Sequence, residues 1–342
     1  MSEKKNVLYV CTASHTKRVF APGRYEEMCE LFDVTENNGD ANWSIEEVAE
    51  RAEGMDAIVT GWGARAPMTP AVFEAAPDLQ IIAHSAGSVR RLIPDDIAKD
   101  YVIPRDITVF SANGAIAANV AESAIGMLLM TMRHWVHFSN YIHDTPNWRS
   151  GLYDFNGKFL LGSTVGVVSA SKVGRWVIRL LEPWQCDILV YDPYLSDEEA
   201  AEMGVEKVEL NELFARSDHV TVHAPKLDAT EKMIGDEQLS LLRDGGTLVN
   251  TSRGSVIDHD ALLEHAKSRR INVCLDVTTP EPLEPTSQFR ELDNVIITPH
   301  VSGSGYYGYH LIGEQTIQAL LDCFAGKPVD GAIPMHRYET IA

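Results

Sequence analysis

Three segments of this 342-residue chain end in side chains suited to chemistry. Asn250-Thr251-Ser252-Arg253-Gly254 follows one apolar run. Leu275-Asp276-Val277 ends a second, with Glu281-Pro282 just beyond, and Thr298-Pro299-His300 ends a third. Histidine changes charge near neutrality, so His300 suits proton transfer. A carboxylate such as Glu281 favours the protonated form of an imidazole beside it. The planar fork of Arg253 suits a two-point grip on an oxygen-bearing anion. Taken singly, each has a structural alternative: Arg253 in a surface ion pair, Glu281 in a solvated turn, His300 as a hydrogen-bonded turn histidine. Their shared position sets them apart. All three lie beyond the carboxyl ends of strand-like runs, the edge where ligands bind open α/β sheets.

A fourth segment, TVGVVSASKVGRWV over residues 164–177, starts as a strand and ends as a helix. A dinucleotide-binding turn reads G-x-G-x-x-G at such a junction. The first glycine allows the turn, the second lets backbone approach a pyrophosphate, and the third lets helix pack on strand. Here Gly174 keeps the third place and Ser169 and Ser171 fill the first two. A Ser at 171 adds a Cβ that pushes a pyrophosphate outward, or a hydroxyl that bonds it; the sequence leaves both open. Asp192 ends the next strand, eighteen residues beyond Gly174. A carboxylate there accepts both ribose hydroxyls and repels a 2′-phosphate. Lys172 is placed to pair with a pyrophosphate. By itself, this turn reads sooner as an ordinary strand–helix junction than as a nucleotide site.

The elements that must position these residues are legible as alternating apolar runs and helical pieces. From Leu161 the strands are read at 164–168, 187–191, 219–223, 247–250, 273–276 and 295–298. Helices fall between them at 173–181, 197–203, 211–215, 236–242 and 258–268. That is the pattern of a doubly wound parallel sheet, a Rossmann fold. The first hundred residues give a smaller α/β unit, with strands at 6–11, 57–60 and 79–83 and helices at 45–51 and 70–75. The run 119–138 is apolar almost all round, as in a helix buried on several sides or at a subunit interface. A further amphipathic helix is expected over 311–324.

Composition narrows the partners. Two domains are expected at this length. The formal net charge of −20 opposes binding to nucleic acid or an anionic membrane surface. The five scattered cysteines make no C-x-x-C pair, so neither a disulfide framework nor a zinc knuckle is expected, and a reducing cytoplasm fits. No metal site is expected. The apolar run near the N-terminus is too short for a signal-peptide core. The stretch 123–132, bounded by Glu122 and Arg133, reads as a buried helix and not a span.

Several segments in register carry a resemblance. NGKFLLGSTVGVVSASKVG, YDP, VTVHAPKLDATEKMI, TLVNTSRGSVIDHDALL, CLDVTTPEPL and NVIITPHVSG occur in the order and spacing of the D-isomer-specific 2-hydroxyacid dehydrogenases. The chain resembles that family from about residue 81 to about 324, most strongly over 157–305. The first 60 residues carry only its general pattern.

The resemblance implies a Rossmann cofactor domain, residues 116–307, inserted in a smaller flavodoxin-like α/β substrate domain, residues 1–115 plus 308–342. No appended regulatory domain is expected, since the sequence stops soon after the closing helix. The resemblance implies NAD as cofactor, held around Ser169, Ser171, Lys172, Val173, Asp192, His223, Pro225, Thr251, Asp276, His300 and Gly303, with Asp276 on the nicotinamide amide. Arg253 matches the arginine that binds a 2-oxo acid's carboxylate and carbonyl. His300 matches the proton donor and acceptor, and Glu281 its acidic partner. The loop Ser85-Ala86-Gly87-Ser88 matches the one whose backbone N–H groups hold the substrate carboxylate, with Ala86, Gly87 and Ser88 as contacts. Trp148 and Tyr153 match a segment that family members push toward a partner's active site. A homodimer is implied.

The chemistry is coherent on its own terms. Hydride transfer to a carbonyl leaves charge on oxygen, which His300 can neutralise and Arg253 can steady. The expected activity is an NAD-dependent interconversion of a small 2-oxo acid and its D-2-hydroxy acid. The serines at 169 and 171 depart from the family pattern, as do Thr278-Thr279 after Asp276. Arg90-Arg91 offer extra positive charge for a second anionic group, or face solvent. Two other readings follow from the altered turn: an NAD(H)-sensing dimeric scaffold of the corepressor type, and an enzyme using a retained nucleotide in a non-dehydrogenase reaction.

Overall fold

The computed structural model describes residues 4–62, 68–148 and 157–340. The chain divides into two compact units, Met1–Ile116 with Ser304–Ala342, and Ala117–Gly303.

The first unit begins β1 (Asn6–Tyr9), α1 (Ala13–Val19), α2 (Arg24–Leu31), β2 (Asp33–Glu36), α3 (Ile45–Arg51), β3 (Ala57–Thr60), α4 (Pro70–Ala75) and β4 (Ile81–His84). A short α5 (Asp95–Ile97) and β5 (Thr108–Ser111) follow. The strands make one parallel sheet in the order β2-β1-β3-β4-β5, the flavodoxin-like order. Alternation explains why β1, β3 and β4 are apolar at nearly every position. Leu8, Ile58 and Ile82 pack on Val48 and Phe73 of α3 and α4. Val7, Tyr9, Val59 and Ile81 face the opposite side, with Val19 and Met28 of α1 and α2. A parallel sheet covered on both faces needs apolar residues at every position.

The helix α6 (Asn113–Met132) carries the chain into the second unit. By length and composition alone it could cross a membrane. Half of it is buried, with Ala121, Ala124, Leu128 and Met132 in a core beside Val165 and Val167. The apolar run read as one helix over 119–138 is two. His134 adopts a left-handed backbone (φ 53°) and starts α7 (Trp135–Asp144). The sequence shows apolar content there but not the change of direction.

The second unit continues as β6 (Thr164–Val168), α8 (Lys172–Leu181), β7 (Asp187–Tyr191), α9 (Asp197–Glu202), β8 (Glu206–Lys207), α10 (Leu210–Arg216) and β9 (His219–Val222). Then come α11 (Asp236–Leu241), β10 (Gly246–Asn250), α12 (His259–Lys267), β11 (Ile271–Leu275) and β12 (Val295–Ile297). The sheet order is β12-β11-β10-β9-β6-β7-β8, all parallel. This is the doubly wound order with one added strand, and its switch point lies between β6 and β9. The six strands expected are present. The seventh, β8, is a two-residue exposed edge that leaves no apolar signature. In the first unit, β2 escaped for the same reason and β5 was also missed. The last helix, α13 (Tyr306–Phe324), belongs to the first unit and begins five residues earlier than its amphipathic pattern suggested.

Four buried histidines give the fold a pH dependence. Burial pushes His15, His84 and His219 down to about 4, and His223 to about 3. The unfolded chain takes up these protons first, near pH 6.5, so stability present above that pH is lost as pH falls toward 4. Shifts of this size withdraw roughly 3 to 5 kcal/mol per histidine. Both ring nitrogens of His219 are buried without a partner. Replacing it (His219→Leu) should flatten the fall in melting temperature between pH 6.5 and 4.5, measured by calorimetry. A slope equal to wild type would show that His219 does not contribute.

Candidate active site

At the switch point the turn after β6 is built from its serines. Ser169 takes a left-handed backbone (φ 80°), the conformation for which glycine is ordinarily used. Its hydroxyl donates to Asp192 Oδ2 at 3.1 Å, and the Ala170 N–H donates to the same oxygen at 2.9 Å. Ser171 caps α8. Its hydroxyl accepts the Gly174 N–H at 3.3 Å and donates to the His223 carbonyl at 2.9 Å, joining the loops after β6 and β9. The hydroxyl is thereby employed within the protein. Gly174 cannot be replaced freely, because a Cβ there would lie 2.0 Å from the Ser169 carbonyl oxygen.

This arrangement fits a dinucleotide. The first-turn amides of a helix have no intrahelical partner, and those of Lys172 and Val173 open α8 at the sheet's switch point, where an anion is favoured. Asp192 stands at the end of β7, with Oδ1 accepting the Tyr194 N–H at 2.8 Å. The His223 ring, expected at the cofactor, is buried and kept neutral by burial. It bonds Thr221 Oγ1 at 2.9 Å and Thr251 Oγ1 at 3.4 Å, so its structural part is to tie β9 to the loop after β10. The Pro225 carbonyl accepts from Thr230 Oγ1 at 2.6 Å.

The pairing of His300 with Glu281 forms beyond β12. His300 Nδ1 lies 2.5 Å from Glu281 Oε1, and both side chains are nearly half exposed. With Nδ1–H donating to the carboxylate, Nε2 is left for another partner. Asp276, buried at the end of β11, organises the turn that carries His300. Its Oδ1 accepts from Thr298 Oγ1 (2.6 Å) and Val301 N–H (2.9 Å), and its Oδ2 from Ser302 N–H (2.9 Å). The Asp276 carbonyl accepts the His300 N–H at 2.9 Å. Three of about four lone-pair directions are therefore taken by protein, a use the sequence reading did not foresee for this residue. Gly303 ends the unit, half buried.

Arg253 is exposed at the end of β10. Fully buried Asn250 folds its loop: Oδ1 accepts the Ser252 N–H and hydroxyl at 2.9 and 2.8 Å, and Nδ2 donates to the Arg253 carbonyl at 3.0 Å. Gly254 is wedged against Thr278, whose backbone a Cβ would meet at 2.2 Å. His259 supports the strand-end loop leading to Glu281. Its Nδ1 is 3.1 Å from the Ile257 carbonyl and its Nε2 accepts the Thr279 N–H at 3.3 Å, which assigns the Nδ1–H tautomer. Sequence reading missed Asn250 and His259. The only signal was an Asn two residues before a Ser at the end of a buried strand, the pattern of an Asx turn.

The first unit presents the loop Ser85-Ala86-Gly87-Ser88 after β4. Ser111 Oγ donates to the Gly87 carbonyl at 2.6 Å and accepts the Asn113 N–H at 3.3 Å. Thr316 Oγ1 donates to Ser85 Oγ at 3.1 Å. Ser88 Oγ accepts the Arg90 N–H at 3.4 Å. The Arg90 guanidinium binds Asp95 and the Tyr338 carbonyl and lies over the Tyr338 ring; it fastens the tail, an outcome the two alternatives for Arg90 did not include. Arg91 is exposed. Trp148 is strongly exposed, and Tyr153 lies outside the described residues. Among the described residues no His/Cys/Asp/Glu group could hold a metal.

The close approach at Gly174 yields a direct test. Gly174→Ala should lower stability by more than about 3 kcal/mol, since backbone must move, and should abolish NADH binding in a fluorescence titration. A variant that melts and binds like wild type would contradict the packing described.

Residues 125–302 match the family model described as "D-isomer specific 2-hydroxyacid dehydrogenase, NAD binding domain". The chain is 30% identical over 316 residues to D-3-phosphoglycerate dehydrogenase of Archaeoglobus fulgidus, covering 91% of this chain and 58% of that one. The chain thus spans little more than half the length of that relative. It is 31% identical to glyoxylate reductase of Korarchaeum cryptofilum, covering 80% of this chain and 81% of the relative. A phosphoglycerate oxidoreductase structure from Rhizobium etli shares the fold, with TM-score 0.81 at 21% identity over 96% and 98% of the two chains. With the doubly wound sheet and its switch-point turn in place, the matches place the chain in the D-isomer specific 2-hydroxyacid dehydrogenase family, with an NAD-binding domain at its centre.

Proposed function

We propose that the protein reduces a small 2-oxo acid to its D-2-hydroxy acid with NADH, and runs the reverse reaction with NAD. The observation that carries this reading is the Glu281–His300 pair, 2.5 Å apart beyond β12, in the unit that matches the NAD-binding domain. A nicotinamide bound there supplies or accepts the hydride. The chain's own residues handle the charge and the proton.

As the carbonyl oxygen gains negative charge, the Arg253 guanidinium steadies it from the end of β10. His300 donates its Nε2 proton to that oxygen while its Nδ1–H stays bonded to Glu281. In oxidation Nε2 takes the proton back. Asp276 holds the turn that aims the ring, and Asn250 holds the loop that presents Arg253. In the first unit, the loop of Gly87 and Ser88 offers backbone N–H groups to a carboxylate, with the Gly87 carbonyl turned toward Ser111.

The proposal extends to a homodimer in the cytoplasm. Exposed Trp135, Ile142, Trp148, Phe159 and Leu161 support a subunit contact. Five free cysteines suit a reducing compartment.

NADH oxidation followed by absorbance across a panel of 2-oxo acids tests the reading. His300→Ala should reduce kcat by about 100-fold or more. Arg253→Lys should reduce kcat/KM by at least about tenfold, because a lysine has no planar fork. Turnover on every acid unchanged in His300→Ala, or NADH binding with no turnover at all, would defeat it; the second outcome favours the sensing scaffold. For the first-unit loop, Ser111→Ala should raise KM for the 2-oxo acid several-fold while the Kd for NADH stays put. Equal KM values would remove Ser111 from substrate positioning.

A further inference from the structure

The family turn carries glycine where this chain has Ser169, and the added hydroxyl has a definite target. It donates to Asp192 Oδ2, the oxygen that also accepts the Ala170 N–H, while Oδ1 accepts the Tyr194 N–H. A carboxylate offers about four lone-pair directions. Three are filled from within the protein, so one remains. The two hydroxyls of an adenine ribose ask for two. The Ala170 and Tyr194 donors are backbone amides fixed by the turn and the strand end. The Ser169 hydroxyl is the one donor that a rotation about Cα–Cβ can withdraw.

We propose that Ser169 is an internal competitor for the ribose-binding carboxylate, and that it weakens binding of the adenosine half of the dinucleotide. The inference rests on the cofactor reading of this same site. Its consequence is specific: occupation of Asp192 by ribose requires the Ser169–Asp192 bond to break, and the freed hydroxyl is left in a left-handed turn with Ser169 at φ 80°. The backbone there is set by the close approach of Gly174 to the Ser169 carbonyl, so glycine at 169 keeps the same turn. Ser169 therefore acts as an affinity determinant outside the acid–base machinery. It favours release of the nucleotide over its retention.

Isothermal titration of the full chain decides the matter, with Ser169→Gly and Ser169→Ala beside wild type. Both variants lack the hydroxyl, and the alanine retains the Cβ. NADH should bind about fivefold more tightly to each, the size of one hydrogen bond no longer displaced. ADP-ribose, which carries the adenosine ribose, should show the same gain, and reduced nicotinamide mononucleotide none. Unchanged or weaker NADH binding in both variants overturns the proposal. So does a gain confined to glycine, which would trace the effect to backbone relief, or a gain shared by the mononucleotide. No NADH binding by any of the three proteins would instead sink the cofactor reading itself, and the inference with it.

Discussion

The second unit depends on one buried carboxylate. Asp276 sits at the end of β11 and gathers a hydroxyl and two backbone amides from the segment 298–302. An ionised group removed from water is tolerated only when donors replace its hydration. Here those donors belong to the turn carrying His300, so satisfying Asp276 and shaping the turn are the same event. His300 itself takes a left-handed backbone, φ 54°. Its N–H bonds the carbonyl of Asp276, so main chain and side chain of one residue hold the turn together. The His300–Glu281 contact is the outward result, held on a buried ionic anchor.

The same logic recurs at the other strand ends. Asn250 uses its amide to close the loop before Arg253. Ser171 spends its hydroxyl on a helix cap and on the neighbouring loop. Each is a polar side chain at the carboxyl edge whose partners are backbone groups that the end of a strand leaves unpaired. An edge with many orphaned amides and carbonyls needs such residues before it can present a charged side chain outward. Arg253, Glu281 and His300 are exposed, while Asn250 and Asp276 are buried.

The two substituted glycines show how a motif can change its letters and keep its geometry. Ser169 adopts the backbone of the first glycine, with its hydroxyl tied to Asp192. Ser171 replaces the second and gains a capping role. Gly174 is unchanged because its Cα lies against a carbonyl oxygen, and no side chain fits there. The constraint is steric at the third position and conformational at the first.

The sequence by itself determined the fold class, the strands buried on both faces and the three chemical residues at strand ends, because apolar runs and their punctuation are local properties. Exposed β2 and β8 left no such trace, and the break at His134 depends on one backbone angle. Tertiary structure alone decided which side chains meet. Glu281 and His300 are 19 residues apart, Ser171 and His223 are 52 apart, and only the winding of the sheet brings their strand ends together. It also shows Asp276 bonded to the turn that it holds, and His223 buried between β9 and the loop after β10. A residue's type tells what it can bond, but its place in the fold settles what is within reach.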